Sequence, residues 1–204
     1  MTIDEFPPLV EHANALARAT GFPLTRQEAA PGGASASLPG VGLFLAVLAA
    51  GCRGGRIAEA GTGVGVGAAW IASAMPADCT LVTVEYDEQR ASAAAALLAA
   101  DDRVEVVCGD AWEILPARGP FDLLFADGGS TRDQMRSGAI VDLVAVGGKL
   151  VADDVTPVRA LPPDSPLRAD DVKRRLFRTD PRLVSAEVVL PDLQNSLLVG
   201  TRIA

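Results

Sequence analysis

The 204 residues carry a formal net charge of −8, with 49% hydrophobic, 22% charged and only 4% aromatic side chains. That balance excludes a disordered chain and calls for a core built from Ala, Val and Leu. An acidic surface repels phosphates, so nucleic acid is not expected as a partner. The one dense basic cluster is Lys173, Arg174, Arg175 and Arg178, and its spacing suits the solvated face of a helix.

The length fits a single domain over 1–204, with 1–50 as an N-terminal helical cap segment. Residues 1–10 contain Asp4 and Glu5 and no basic stretch, so they do not read as a signal peptide. No apolar run approaches the ~18 residues of a membrane span. A cytoplasmic location and no membrane partner are therefore expected. Cys52, Cys79 and Cys108 are scattered without a CxxC spacing, which argues against a disulfide framework or a zinc knuckle. Cys108, set among valines, is expected in the core.

In chain order, residues 8–21 read as a helix, 31–40 as an irregular Gly/Pro/Ser stretch, and 42–50 as a second short helix. Short apolar runs then recur at 56–60, 81–85, 104–108, 121–126 and 149–152. Helical candidates lie between and after them at 67–75, 88–100, 111–115, 132–144 and 169–179. Near-continuous apolar strands separated by helices predict a parallel sheet covered on both faces. The chain ends differently, with strand-like runs at 184–190 and 196–203 separated only by 191–195. So short a connection holds no crossover helix, so these two strands should pair antiparallel. The prediction is an α/β fold: a doubly wound, seven-stranded mixed sheet of five parallel strands plus a C-terminal hairpin.

The first strand runs into Glu59-Ala60-Gly61-Thr62-Gly63-Val64-Gly65-Val66-Gly67, which opens a helix. Glycines allow a tight turn and close approach of a ligand, and the helix N-terminus beyond them exposes unpaired N–H groups. Gly63, Gly65 and Ala68 also satisfy the dinucleotide fingerprint, so the glycines alone leave a nicotinamide-dependent oxidoreductase open. Three acids favour S-adenosylmethionine (SAM) instead. Glu59 precedes the glycines and suits recognition of the methionine moiety. Glu85 ends the second strand, where a carboxylate can accept both ribose hydroxyls. Asp110, in Gly109-Asp110-Ala111 after the third strand, can reach the adenine amino group.

These motifs, with Val84-Glu85-Tyr86-Asp87, the run 121–127 ending in Asp127 and the run 147–155 containing Asp153-Asp154, resemble the small O-methyltransferases related to the caffeoyl-CoA and catechol O-methyltransferases. The resemblance covers about 30–204. It implies the class I methyltransferase fold, with SAM held by the glycine loop, Glu59, Glu85, Tyr86, Asp110 and Asp127. A homodimer is a further expectation from the resemblance.

Asp127, Asp153 and Asp154 come from the ends of two strands that such a fold sets side by side. Clustered carboxylates repel unless something positive joins them. An all-oxygen set suits Mg²⁺ or another hard divalent cation. The resemblance makes these three the metal ligands, and Asp127 and Asp153 the catalytic acids. It also marks a departure. Metal-dependent relatives carry a lysine three residues after the first Asp, where this chain has Ser130. His12, the one histidine, lies far from every motif. Trp70 reads as packing, and Trp112 as packing or a neighbour of the adenine.

The leading expectation is metal-assisted O-methylation of a small, catechol-like aromatic. A metal-independent small-molecule methyltransferase and a SAM- or SAH-binding protein without catalysis are the alternatives.

Overall fold

The computed structural model describes residues 5–25, 27–30, 33–128, 131–168, 170–190 and 195–204. The strands are β1 (Arg56–Ala60), β2 (Thr80–Glu85), β3 (Val104–Cys108), β4 (Phe121–Ala126), β5 (Val144–Val155), β6 (Leu183–Val189) and β7 (Ser196–Arg202). They form one sheet in the order β3-β2-β1-β4-β5-β7-β6. The first five are parallel, and β7 is antiparallel to both β5 and β6. The helices are α1 (Pro8–Thr20), α2 (Pro39–Ala50), α3 (Val66–Ala74), α4 (Glu88–Leu98), α5 (Ala111–Ile114), α6 (Thr131–Ser137) and α7 (Val172–Thr179). This is the class I methyltransferase sheet, hairpin included.

The apolar runs form central strands because successive side chains point to opposite, equally covered faces. In β4, Leu124 and Ala126 join one core cluster, with Ala58, Val82 and Leu150. Leu123 and Phe125 join the other, with Ile57, Leu81 and Val151. A third cluster seats α1 on α3 through Val10, Ala13, Ala17 and the buried Trp70, whose ring meets Phe6 edge-on at 5.3 Å.

Three elements differ most from the sequence reading. The helix expected at 132–144 stops at Ser137, because Gly138 takes a left-handed conformation (φ 76°) and passes the chain to a short 3₁₀ turn. The strand expected at 149–152 is the middle of β5, which begins at Val144. Helix α7 starts later than expected, at Val172, where Asp171 caps it by accepting from the Lys173 and Arg174 amides. Cys108 is exposed, not in the core, because β3 is an edge strand at the end of the sheet. Among the described residues no helix is long and apolar enough to cross a membrane.

Register positions the site. Glu59 lies beside Thr83, and Ala126 beside Ala152, so Asp127 and Asp153 leave adjacent strand ends together. Ligands in open α/β sheets bind at the carboxyl ends of strands.

Candidate active site

A cavity of about 380 Å³ opens along these strand ends, within the range of small-molecule sites. In strand order, Glu85, Glu59 and the glycine loop line its β2–β1 side, and Asp127, Asp153 and Asp154 its β4–β5 side.

The loop leaves β1 at Gly61 with φ +100°, a conformation that favours glycine. A Cβ there would stand 2.9 Å from the Gly128 amide nitrogen. The Asp127 amide donates to the Ala60 carbonyl at 2.9 Å. Backbone contact thus ties the glycine turn to the turn that carries Asp127. Gly63 is also left-handed, and the space beside it is taken by the Phe22 ring, 3.0 Å from an added Cβ. The reason glycine is needed there is this aromatic neighbour together with φ +56°, not only room for a ligand. Gly65 does not line the cavity; it starts α3 and faces Leu97 and Ala94 of α4.

Glu59 is buried under the loop. Thr83 donates to its Oε2 at 2.6 Å, and the Thr62 and Thr83 hydroxyls lie 2.5 Å apart. Loss of water pushes its pKa up to about 8; the Thr83 hydrogen bond opposes this shift and the nearby Glu85 charge adds to it.

Glu85 is held by four donors. Its Oε2 accepts from the Gly63 amide at 2.8 Å. Its Oε1 accepts from the Asp87 amide at 3.0 Å and from Arg90 Nε and Nη2 at 3.0 and 2.7 Å. Tyr86 is 79% exposed at the cavity mouth. Gly109, Asp110, Ala111 and Trp112 continue the wall, and Asp110 caps α5 by accepting from the Trp112 amide at 2.8 Å.

At the other end, one oxygen from each of Asp127, Asp153 and Asp154 lies within 4.8 Å of the other two. Such an all-oxygen set fits a hard divalent cation. Asp153 Oδ1 accepts from Asn195 Nδ2 at 2.7 Å and from the Asp154 amide at 2.6 Å. Asp154 has φ +63°, a left-handed geometry that Asp tolerates better than most residues. Burial, then the neighbouring carboxylates, push Asp127 well above the usual carboxylate range and Asp153 up to about 6.

Lys173 overturns the reading of the basic cluster. It is 8% exposed, and Nζ donates to the Asp153 carbonyl at 2.5 Å. Arg174, 4% exposed, is bound to Glu187, Asp171 and the Thr156 carbonyl. Only Arg175 and Arg178 lie on the solvated face. The signal was present in the sequence: Lys173, Leu176 and Phe177 stand at i, i+3 and i+4, and both apolar partners belong to the core. Burial lowers the Lys173 pKa, while Asp154, Asp127 and Asp153 pull it back up. Arg90, Thr83 and Asn195 were also missed. Ser130 lies outside the described residues. His12 is exposed on α1.

Known proteins share this fold and sequence. A family model described as a methyltransferase domain matches residues 58–155. A chain from Mycobacterium sp. (strain JLS) that bears the name O-methyltransferase is 34% identical over 195 residues, covering 87% of this chain and 84% of that one. The chain belongs to the O-methyltransferase family. It is also 35% identical over 119 residues to a catechol O-methyltransferase of Mycobacterium tuberculosis, covering 56% of this chain and 54% of that protein. Against that relative the match spans about half of its length. The O-methyltransferase TomG from Streptomyces achromogenes, involved in tomaymycin synthesis and solved in complex with SAM, superposes with a TM-score of 0.72 at 26% identity, over 98% of this chain and 92% of that one.

Proposed function

We propose that this O-methyltransferase family member transfers a methyl group from SAM to a hydroxyl of a small, catechol-like aromatic, with a divalent cation such as Mg²⁺ held by Asp127, Asp153 and Asp154. The observation that carries this reading is one cavity in which the glycine turn and the Asp127 turn touch through Ala60, Gly61 and Gly128. A methyl donor at one end and an acceptor at the other would meet between them.

The chain's own residues supply binding and alignment. Glu85 offers Oε2 to ribose, with the Gly63 amide fixing its direction. Asp110 and Trp112 stand where an adenine would lie along the wall. Glu59 offers a buried carboxylate to the cationic end of the methionine moiety. In the transfer, the acceptor oxygen forms a bond to the methyl carbon as the carbon–sulfur bond breaks. The electron pair of that bond stays on sulfur, and the hydroxyl proton passes to solvent water. Alignment of oxygen, carbon and sulfur supplies much of the rate. A phenol near pKa ~10 is mostly protonated at neutral pH. A bound divalent cation lowers the pKa of a hydroxyl that it coordinates.

Incubation with methyl-labelled SAM, Mg²⁺ and a panel of catechols, read by mass spectrometry, tests the reading. Labelled monomethyl ether and SAH in equal amounts support it. SAM binding with no product across the panel contradicts it and favours a cofactor-binding protein without catalysis.

A further inference from the structure

The acidic side of the cavity holds three carboxylates within 4.8 Å of one another, and the buried Lys173 reaches them from α7, its Nζ donating to the Asp153 carbonyl at 2.5 Å. Its neighbour Arg174 is committed elsewhere, to Glu187, Asp171 and the Thr156 carbonyl. Lys173 does not line the cavity. It reaches the site from behind, on a helix anchored in the core by Leu176 and Phe177, and its ammonium ends on the Asp153 carbonyl. The neutral donors Asn195 Nδ2 and the Asp154 amide meet Asp153 Oδ1. The carboxylate is thus oriented by neutral groups, while the charge is offset by Lys173.

We propose that Lys173 is the resident countercharge of the acceptor site: a positioning residue that holds the β5 end in place and competes electrostatically with a divalent cation for the three carboxylates. This rests on the reading of Asp127, Asp153 and Asp154 as a cation site. An ammonium beside that site repels an incoming divalent ion and, in the ion's absence, relieves the repulsion among the acids. At an effective dielectric of about 20, a unit charge at such range changes a binding constant by about 10-fold or more.

The test is calorimetry with Mn²⁺, together with thermal melts with and without Mn²⁺, on the wild-type chain and on Lys173→Gln, Lys173→Met and Lys173→Arg. The glutamine keeps a donor for the Asp153 carbonyl but no charge, and it carries the test should the methionine variant not fold. The expected result is Mn²⁺ affinity about 10-fold or more tighter in the neutral variants. They should also melt lower without Mn²⁺ and gain more from it than wild type, and the arginine should restore wild-type values. Folded Lys173→Gln with wild-type or weaker affinity would overturn the proposal and leave Lys173 a structural tether. Uptake of Mn²⁺ by Lys173→Gln but not by wild type would uphold the countercharge and overturn the metal-assisted reading. Uptake by neither would overturn both.

Discussion

The two ends of the cavity handle negative charge in opposite ways. On the glycine-loop side, Glu85 is held by two backbone amides and Arg90, and Glu59 by the Thr83 hydroxyl. On the other side, Asp127, Asp153 and Asp154 crowd within 4.8 Å of one another, and Lys173 donates to the Asp153 carbonyl. The first end is organised by hydrogen bonds, with Glu59 keeping its proton up to about pH 8. The second keeps a surplus of negative charge, which is what a divalent ion needs and what an apo protein tolerates poorly. The same fold thus supplies a closed hydrogen-bond network and an open electrostatic one, a few residues apart on neighbouring strands.

The harshest way to break this contrast is Asp127→Ala. Removing one of three ligands should abolish cation binding and lower turnover at least about 100-fold, since a bound ion contributes several kcal/mol of charge stabilisation. The metal-free protein should melt no lower, and Asp127→Asn should melt higher, because a repelled carboxylate is gone. Melts and initial rates side by side check this.

Glu85→Ala attacks the other end. A lost charge-assisted hydrogen bond costs about 1.5–3 kcal/mol, so SAM should bind roughly 10- to 100-fold more weakly. Cation affinity should stay unchanged, as titration calorimetry would show. Unaltered SAM affinity would remove Glu85 from the cofactor site. Gly61→Ala touches both ends at once. Its Cβ would press on the Gly128 amide at φ +100°, and strain of this kind costs about 1–3 kcal/mol. Stability should fall by that amount, with SAM and cation affinities falling together. Loss of only one of them would mean that the two turns are not mechanically joined.

The smallest effect is in pH. The folded protein holds the Glu59 proton up to about pH 8, against an ordinary 4.5. A raised acid pKa means that the folded state binds the proton more tightly than the unfolded one. This contribution to stability is therefore full below pH 4.5 and is lost as pH rises toward 8. Asp153, raised to about 6, adds to the fall in the lower part of that window. The melting temperature of the ligand-free chain should decline across it, and Glu59→Gln should flatten the curve.

Much of this contrast was legible in the sequence, and the unread part has a physical reason. The strands β1 and β4 begin and end where their apolar runs do, because central strands covered on both faces are mostly apolar, and β3 keeps the same bounds at the sheet edge although its residues are part-buried or exposed. The hairpin followed from a connection too short for a helix. Asp127, Asp153 and Asp154 were legible because the β4–β5 pairing sets consecutive strand ends together. Lys173 was not read, because the basic cluster was weighed as charge and not as position on the Leu176–Phe177 stripe. Arg90 and Thr83 left no pattern in sequence. Their partners are fixed by register and by where α4 starts, which only the folded chain displays. The break of the expected helix at Gly138 could have been foreseen from the glycine alone.

On this reading, one cavity would join a SAM end that needs no metal to an acceptor end that does. It is tested most directly by measuring SAM binding and catechol methylation in parallel, in Mg²⁺ and in excess EDTA. SAM should bind with the same affinity in both, and methylated product should form only with Mg²⁺. Full turnover in EDTA, or SAM affinity lost along with the metal, would contradict it.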